Sequence, residues 1–331
     1  MSRGSESAAI ERAIAADLMP AFDRRRFLTR LGSFGLAGAA GIGVGQTGAH
    51  AAAAHTFPHG EVEITVVSDG HLTLAVDALV RNVEPARLAA VLALTDQSAQ
   101  VSAPTNVTLV KTKSDLILID AGSGPNFMPT AGKLADNLAS LGVDRTKVTK
   151  VVFTHGHPDH LWGTIDEFED APTFANASYV ISAGEWNLWM SDDVLTKIPA
   201  DRQNSAPGAK RNLSRIKDKV RTIKPGEDIA AGMRAIDTRG HTQGHISIEI
   251  AGGREPLIVL GDALTHPLIS FAYPGWTPAA DHEPDLGVAT RMKLLDRLAS
   301  DRSPVIGYHL PFPGRGRVER RGGAFAFVPS V

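Results

Sequence analysis

The stretch His155-Gly156-His157-Pro158-Asp159-His160 sets four candidate metal ligands within six residues, directly after the run 148–154 (VTKVVFT). That run is β-branched and mostly apolar, so it reads as a strand buried on both faces. The ligand cluster then lies where a rigid element ends and the chain turns. From such a place imidazoles and a carboxylate can be aimed at one point, as a pre-organised site requires. Tetrahedral zinc takes about four ligands at roughly 2.0–2.2 Å from nitrogen or oxygen, so His155, His157, Asp159 and His160 crowd a single ion. The crowding predicts two ions, with Asp159 and His160 facing one and the remaining ligands facing the other.

Three later segments supply what a two-metal site still needs. Gly240-His241-Thr242-Gln243-Gly244-His245 follows a short strand, 233–238, and offers His241 from a Gly-flanked turn. The apolar run 257–260 ends in Gly261-Asp262, and the run 305–308 ends in His309. The set is five His and two Asp, each at a strand end or in the turn after one. Borderline ions such as zinc favour this nitrogen and oxygen set without any thiolate. A lone strand-end His or Asp is most often a turn or capping residue, but four segments ending alike are poorly explained that way. His245 reads as a hydrogen-bonding support for the ligands. His71, His266 and His282 have no clustered partners and read as solvated or satisfied. His50, His55 and His59 lie in or near a segment expected to be removed or flexible.

In this order, the H-x-H-x-D-H cluster, the G-H-T-x-G-H turn, the strand-end Gly-Asp and the strand-end His resemble the metallo-β-lactamase superfamily of hydrolases. The resemblance spans about 61–329 and is strongest to the methyl parathion hydrolase group, which is related to the lactonases. His309-Leu310-Pro311-Phe312-Pro313-Gly314, Gly316 and Phe327-Val328-Pro329 carry it at the C-terminus, and Ser68-Asp69-Gly70 and Asp120-Ala121-Gly122 carry it nearer the start. It implies one metal on His155, His157 and His241, a second on Asp159, His160 and His309, and a bridge at Asp262. Two departures stand out. Where that group often has two glycines, Leu161-Trp162-Gly163 places a large aromatic beside the metals. The chain also has no cysteine, so it lacks the Cys ligand of several true metallo-β-lactamases, and the antibiotic-resistance reading weakens.

At the front, Asp23-Arg24-Arg25-Arg26-Phe27-Leu28 precedes a Gly/Ala-rich run, 31–48, and then Ala49-His50-Ala51. A basic region, a modest apolar region and a small-x-small site form an export signal. The paired arginines before Phe-Leu resemble a twin-arginine signal. The run is too short and glycine-laden for the ~20 strongly apolar residues of a membrane span. Residues 1–54 are therefore expected to be a signal cleaved near Ala51, with 55–331 as one hydrolase domain in the periplasm or secreted. Loss of six Arg and four acidic residues takes the formal charge from −2 to −4, which is no nucleic-acid footprint. An exported chain without cysteines has no disulfide framework, so core and metals must carry its stability. Expected partners are a small uncharged organic substrate, the twin-arginine export machinery for the precursor, and a second copy in a homodimer.

Strand-like runs at 62–67, 107–111, 116–119, 148–153, 179–182, 233–237, 246–250, 257–260 and 305–308 alternate with helical stretches near 130–141, 183–190 and 285–300. Such alternation in both halves predicts an α/β protein, an αββα four-layer sandwich with two mixed β-sheets inside two helical layers. The polar segment 191–220 reads as a loop plus a short basic helix. Candidate pocket residues are Phe127, Trp162, Trp189, Phe271, Tyr273 and Trp276. Trp186 and Trp189, three apart on one helix, read more readily as core. An aromatic mouth suits an uncharged organic substrate.

The expected cofactors are two divalent ions, zinc first, with manganese, cobalt or iron as alternates. The expected reaction is attack of metal-bound hydroxide on a lactone, aryl ester or phosphotriester, with Asp262 orienting the hydroxide or accepting its proton and Asp159 beside it. The rival readings are a β-lactam hydrolase and a non-catalytic metal-binding protein of the same fold. A β-lactam hydrolase usually needs a cationic partner for the substrate carboxylate, and no Lys lies near the motifs.

Overall fold

Alternation of apolar side chains along each strand builds the layers of the molecule. The computed structural model describes residues 54–95 and 100–330. Its first sheet orders β1 (Ala54–His59), β2 (Val62–Ala75), β3 (Gln100–Lys111), β4 (Leu116–Ile119), β5 (Lys150–Val152), β8 (Ser178–Ser182) and β9 (Val220–Ile223). The short strands β6 (Ile165–Asp166) and β7 (Ala171–Pro172) pair separately. The second sheet orders β10 (Asp228–Ala230), β11 (Met233–Asp237), β12 (Ile246–Ile250), β13 (Leu257–Val259), β14 (Val305–Ile306), β15 (Arg315–Arg321) and β16 (Ala324–Pro329). Both sheets are mixed: β4, β5, β8 and β9 run parallel in the first, β13 and β14 in the second, and the other pairs are antiparallel.

Period-two patterning sends each strand's side chains to two different cores. Ile117 and Ile119 of β4, Val152 of β5 and Val180 of β8 pack between the sheets against Ile246, Ile248, Ile250 and Val259. Their neighbours Leu118, Val151, Tyr179 and Ile181 face outward. There they meet Leu134 and Leu138 of α2 (Leu134–Ser140), Leu188 and Trp189 of α4 (Ala183–Trp189), and Leu213 and Ile216 of α6 (Ala206–Ile216). On the far side Ile258 and Val305 pack against Phe271 of α7 (Ile269–Ala272) and Leu294, Leu295 and Leu298 of α8 (Pro284–Asp301). Each fully buried aliphatic side chain in these layers contributes about 1.5–3 kcal/mol. The result is the expected αββα sandwich, completed by α1 (Pro85–Leu92), α3 (Pro158–Leu161) and α5 (Val194–Lys197).

Several boundaries differ from the sequence reading. The strand expected at 62–67 runs on to Ala75 through a register shift between Ser68 and His71, and the helix expected from 130 begins at Leu134. His55 and His59 are not in a loose leader; they lie in edge strand β1, paired with Val66 and Val62. The segment 191–220 holds α5 and α6, separated by a 3-10 turn at Ala200–Ser205. α1, β9, β10 and the β15–β16 hairpin were not anticipated. The arginine pair and small-x-small site of the expected signal lie outside the described residues. Among the described residues no helix is long and apolar enough to cross a membrane.

Candidate metal centre

The ends of β5, β11, β13 and β14 lie at one edge of the sandwich, and each delivers ligands there. After β5 the chain turns through His155 and His157; His157 is the N-cap of α3, with Pro158 at the first helical position. Proline pre-sets the backbone for a helix start, so Asp159 and His160 follow on the first turn. The turn between β11 and β12 presents His241. Asp262 lies just past β13, and His309 lies in the loop after β14, which β3 grips: Asn106 Nδ2 donates to Gly307 O at 3.0 Å and to Leu310 O at 2.7 Å.

The seven side chains form two buried groups, His155, His157, His241 and Asp262 in one and Asp159, His160 and His309 in the other. His157 Nδ1 lies 3.0 Å from His155 Nε2 and 2.9 Å from His241 Nε2. Asp262 stands between the groups. Its Oδ2 is 3.3 Å from both His241 Nε2 and His309 Nε2, and its Oδ1 is 3.2 Å from His160 Nε2. Asp159 Oδ2 completes the second group at 3.3 Å from His160 Nε2 and 3.2 Å from His309 Nε2.

The opposite edges of the imidazoles are held by the fold. His160 Nδ1 faces Asp120 Oδ2 at 2.8 Å, His241 Nδ1 faces Asp281 Oδ1 at 3.0 Å, and His309 Nδ1 donates to Pro104 O at 2.8 Å. With Nδ1 as the donor, each Nε2 lone pair is directed inward, the tautomer that a metal ligand needs. Asp120 also accepts from Thr154 N at 2.8 Å, and Thr154 Oγ1 lies 3.1 Å from His155 Nδ1. Asp120 adopts φ +65°, a conformation in which Asp is one of the few tolerated residues besides glycine. Asp281 is itself held by Arg291, whose guanidinium donates to Oδ2 at 3.0 Å.

Two observations test whether a cation fits. Asp159 Oδ2, His160 Nε2 and Asp262 Oδ1 are buried without an aligned hydrogen bond and point at one another across the two groups. Two imidazole nitrogens, His155 Nε2 and His241 Nε2, also converge on His157 Nδ1, so three ring nitrogens with lone pairs crowd one point. Both features fit divalent ions at the two groups. The electrostatics agree. Burial, with His160 and His241 nearby, holds His155 and His157 well below the ordinary histidine range, as neutral ligands. Burial alone would lower His160 and His309 too, but Asp159, Asp262 and, for His160, Asp120 outweigh it. His160 is raised well above its usual range and His309 to about 10. Burial alone would raise Asp262, but His309 and His160 hold it well below the carboxylate range. Protons on these two histidines thus balance the buried carboxylates, and metal binding displaces such protons.

The predicted pocket residues divide. Trp189 is fully buried, donates from Nε1 to Glu185 Oε2 at 2.6 Å, and backs His157 with ring centroids 6.0 Å apart. Phe271 is core, packed on Phe327 at 5.6 Å. Neither is a pocket wall, because the helices carrying them turn these rings inward. Trp276 is buried and stacks on Tyr273 at 4.3 Å. Phe127 and Trp162 are half-buried and meet edge-on at 5.6 Å. His282, read as solvated or satisfied with no clustered partner, does have one: its Nε2 lies 3.1 Å from His157 Nε2. His245 is the expected support, since its Nε2 accepts from Asp262 N at 2.9 Å and its Nδ1 faces Thr238.

Glu185, Asp281 and Arg291 were missed. Their only local signal is Ser182-x-x-Glu185, which reads as a helix capping box. Ser182 does cap, accepting from Glu185 N at 3.1 Å, but the glutamate carboxylate turns to the metal-centre loops instead.

A four-layer αββα sandwich with two His/Asp groups joined by one aspartate at the sheet edge defines a class of metal-centred proteins. Residues 103–306 match the metallo-beta-lactamase superfamily, and the chain belongs to it. No curated protein matches it by sequence. Among solved structures it is similar to AidC, a dizinc quorum-quenching lactonase in complex with a product, N-hexanoyl-L-homoserine. The identity is 26%, the TM-score 0.79, and the match covers 85% of this chain and 98% of that one. It is similar also to AbOPH, a hydrolase in the beta lactamase superfamily, with 27% identity, TM-score 0.78, and coverage of 85% and 98%. A probable metal-dependent hydrolase from Staphylococcus aureus shares the fold at 19% identity, TM-score 0.65, with coverage of 76% and 91%.

Proposed function

We propose that this protein is a two-metal hydrolase of lactones and aryl esters, with phosphotriesters the next substrate class. The observation that carries the reading is the Asp262 carboxylate, set within 3.3 Å of ligand nitrogens from both groups. His155, His157 and His241 with Asp262 would hold one ion. Asp159, His160 and His309 with the same carboxylate would hold the other, and zinc suits this donor set. Divalent ions bound there supply a water of lowered pKa and electrophilic stabilisation of an acyl or phosphoryl oxygen.

The chain's own residues orient and exclude. Asp120, Asp281 and the Pro104 carbonyl fix the imidazole rings. Tyr308 stacks on His160 at 3.9 Å and donates from its hydroxyl to Asp159 O at 2.7 Å, fixing the second group's backbone. Asp262 sits where it can accept a proton from an attacking water. The half-buried Phe127, Trp162 and Tyr273 offer apolar surface to a small uncharged substrate, and the likeness to a dizinc lactonase supports placing lactones first. The Arg24-Arg25 pair and the Ala49-His50-Ala51 site support export through the twin-arginine machinery to the periplasm.

The test is elemental analysis of the purified protein together with a panel of lactone, aryl ester, phosphotriester and β-lactam substrates. We expect two divalent ions per chain and the highest kcat/KM on a lactone or aryl ester. One ion per chain with no uptake of a second would overturn the two-metal reading, and preference for a β-lactam would overturn the substrate class.

A further inference from the structure

Glu185 is a fully buried carboxylate that the reaction does not use. It starts on α4, beyond the end of β8 in the first sheet, and each of its oxygens meets two donors. Oε2 accepts from Gly156 N at 2.9 Å and from Trp189 Nε1 at 2.6 Å. Oε1 accepts from Gly244 N at 2.9 Å and from the Thr242 hydroxyl. Gly156 lies between His155 and His157. Thr242 and Gly244 lie in the turn that presents His241, and that turn belongs to the second sheet. One side chain therefore ties together the two turns that carry all three histidines of the first group.

The approach is close enough to dictate sequence. A Cβ on Gly156 would stand 2.3 Å from Trp189 Nε1, and one on Gly244 would stand 2.1 Å from Glu185 N. Only glycine at both positions lets α4 seat against both turns. The second group is tied differently: Asp120 and the Pro104 carbonyl hold its histidines, and the Tyr308 hydroxyl links its own loop to Asp159 O.

We infer that Glu185 is a positioning residue for the three-histidine half of the centre, setting the separation of His155 and His157 from His241; this rests on the two-ion reading. Its four acceptor positions are all taken by donors, so an amide cannot replace it. Glutamine would turn an NH2 toward either Gly156 N and Trp189 Nε1 or Gly244 N and the Thr242 hydroxyl. The two turns would then part, and the first group would hold its ion more weakly while the second kept its own affinity.

The test is cobalt(II) titration of the metal-free full chain in competition with a chromophoric chelator, with visible absorption recorded throughout. Wild type, Glu185→Gln, Thr242→Val, His241→Ala and His309→Ala would be compared. We expect two ions for the wild type. Glu185→Gln should bind one ion normally and the other 10–100-fold more weakly, the range typical of outer partners of ligands. Its one-ion spectrum should match that of His241→Ala and not that of His309→Ala. Thr242→Val removes a single donor and should shift the same ion by a smaller factor; it decides the matter alone if Glu185→Gln fails to fold. Fewer than two ions on the wild type would defeat the two-ion reading itself. Two ions on the wild type, with both affinities unchanged or falling together in the variants, would overturn the positioning role alone.

Discussion

The two halves of the metal centre are built from similar ligands but anchored in opposite ways. The three-histidine half depends on carboxylates that reach in from distant elements, Glu185 on α4 and Asp281 before α8, the latter paired with a buried arginine. The half with Asp159, His160 and His309 is anchored by the first sheet: Asp120, just past β4, holds His160, and the Pro104 carbonyl of β3 reaches His309 in the loop after β14 of the second sheet. Support from strands is rigid, whether it stays within one sheet, as at His160, or crosses between the two, as at His309. Support from helices must cross between layers, so it needs buried charge and close glycine contacts. The first half should therefore be more sensitive to changes in α4 and in the loop before α8, and the second to changes in β3 and just past β4.

Asp262 belongs to both halves, and its replacement should have the largest effect. Asp262→Asn keeps the shape but removes a negative charge from between two expected dications. We expect kcat/KM on the best panel substrate to fall by two or more orders of magnitude, with reduced metal content. His245→Ala removes the acceptor for Asp262 N and the contact with Thr238 but none of the seven candidate ligands, and a 10–100-fold loss is expected. Near-full activity in Asp262→Asn alongside abolition in His245→Ala would show that the shared group has been misassigned.

The anchoring carboxylates sharpen the contrast further. Asp281→Asn removes the negative charge beside buried Arg291 and leaves one oxygen to serve either the guanidinium or His241 Nδ1, with the carbonyls of Pro274 and Trp276 as the other acceptors for Arg291. Breaking such a pair typically costs about 3–5 kcal/mol, so this variant should both unfold earlier without metal and weaken the first ion. Asp120→Asn can still accept from Thr154 N but no longer faces His160 with a charge. It should weaken the second ion by about 10–100-fold at a smaller stability cost. Thermal melts of metal-free protein and cobalt titrations read the two quantities separately. The comparison breaks if both variants weaken the same ion.

The same division explains what the sequence disclosed. The ligands were legible because each ends an apolar strand, and a buried run followed by His or Asp is a local pattern. The αββα layering followed from strands and helices alternating in both halves. Glu185 and Asp281 were not legible, because their meaning lies in contacts with Gly156, Gly244 and His241 that the fold alone creates. The partner of His282 was missed for the same reason: nothing beside it in sequence announces His157. Trp189 is in the core, as its helical spacing with Trp186 suggested, whereas Phe271 was placed by following the strand tip of Asp262 and its helix face turns to the core.

His266 gives the smallest effect and a control for the whole comparison, being a buried histidine outside both ligand groups. Its Nδ1 accepts from Leu268 N at 3.2 Å and Ile269 N at 3.1 Å, at the start of α7. Burial pushes its pKa down to about 4 from an ordinary 6.5. The unfolded chain therefore binds the extra proton first as pH falls. The stability held by neutral His266 is complete above about pH 6.5 and is lost progressively down to about pH 4, by roughly 3 kcal/mol at most, since one pKa unit is about 1.4 kcal/mol. His266→Gln retains an acceptor for the two helix N–H groups but has no proton to gain. Denaturation midpoints of the metal-free proteins between pH 4 and 7 should show the wild type losing stability faster than the variant as pH falls. A constant difference between the two across that window would mean that burial does not hold His266 neutral.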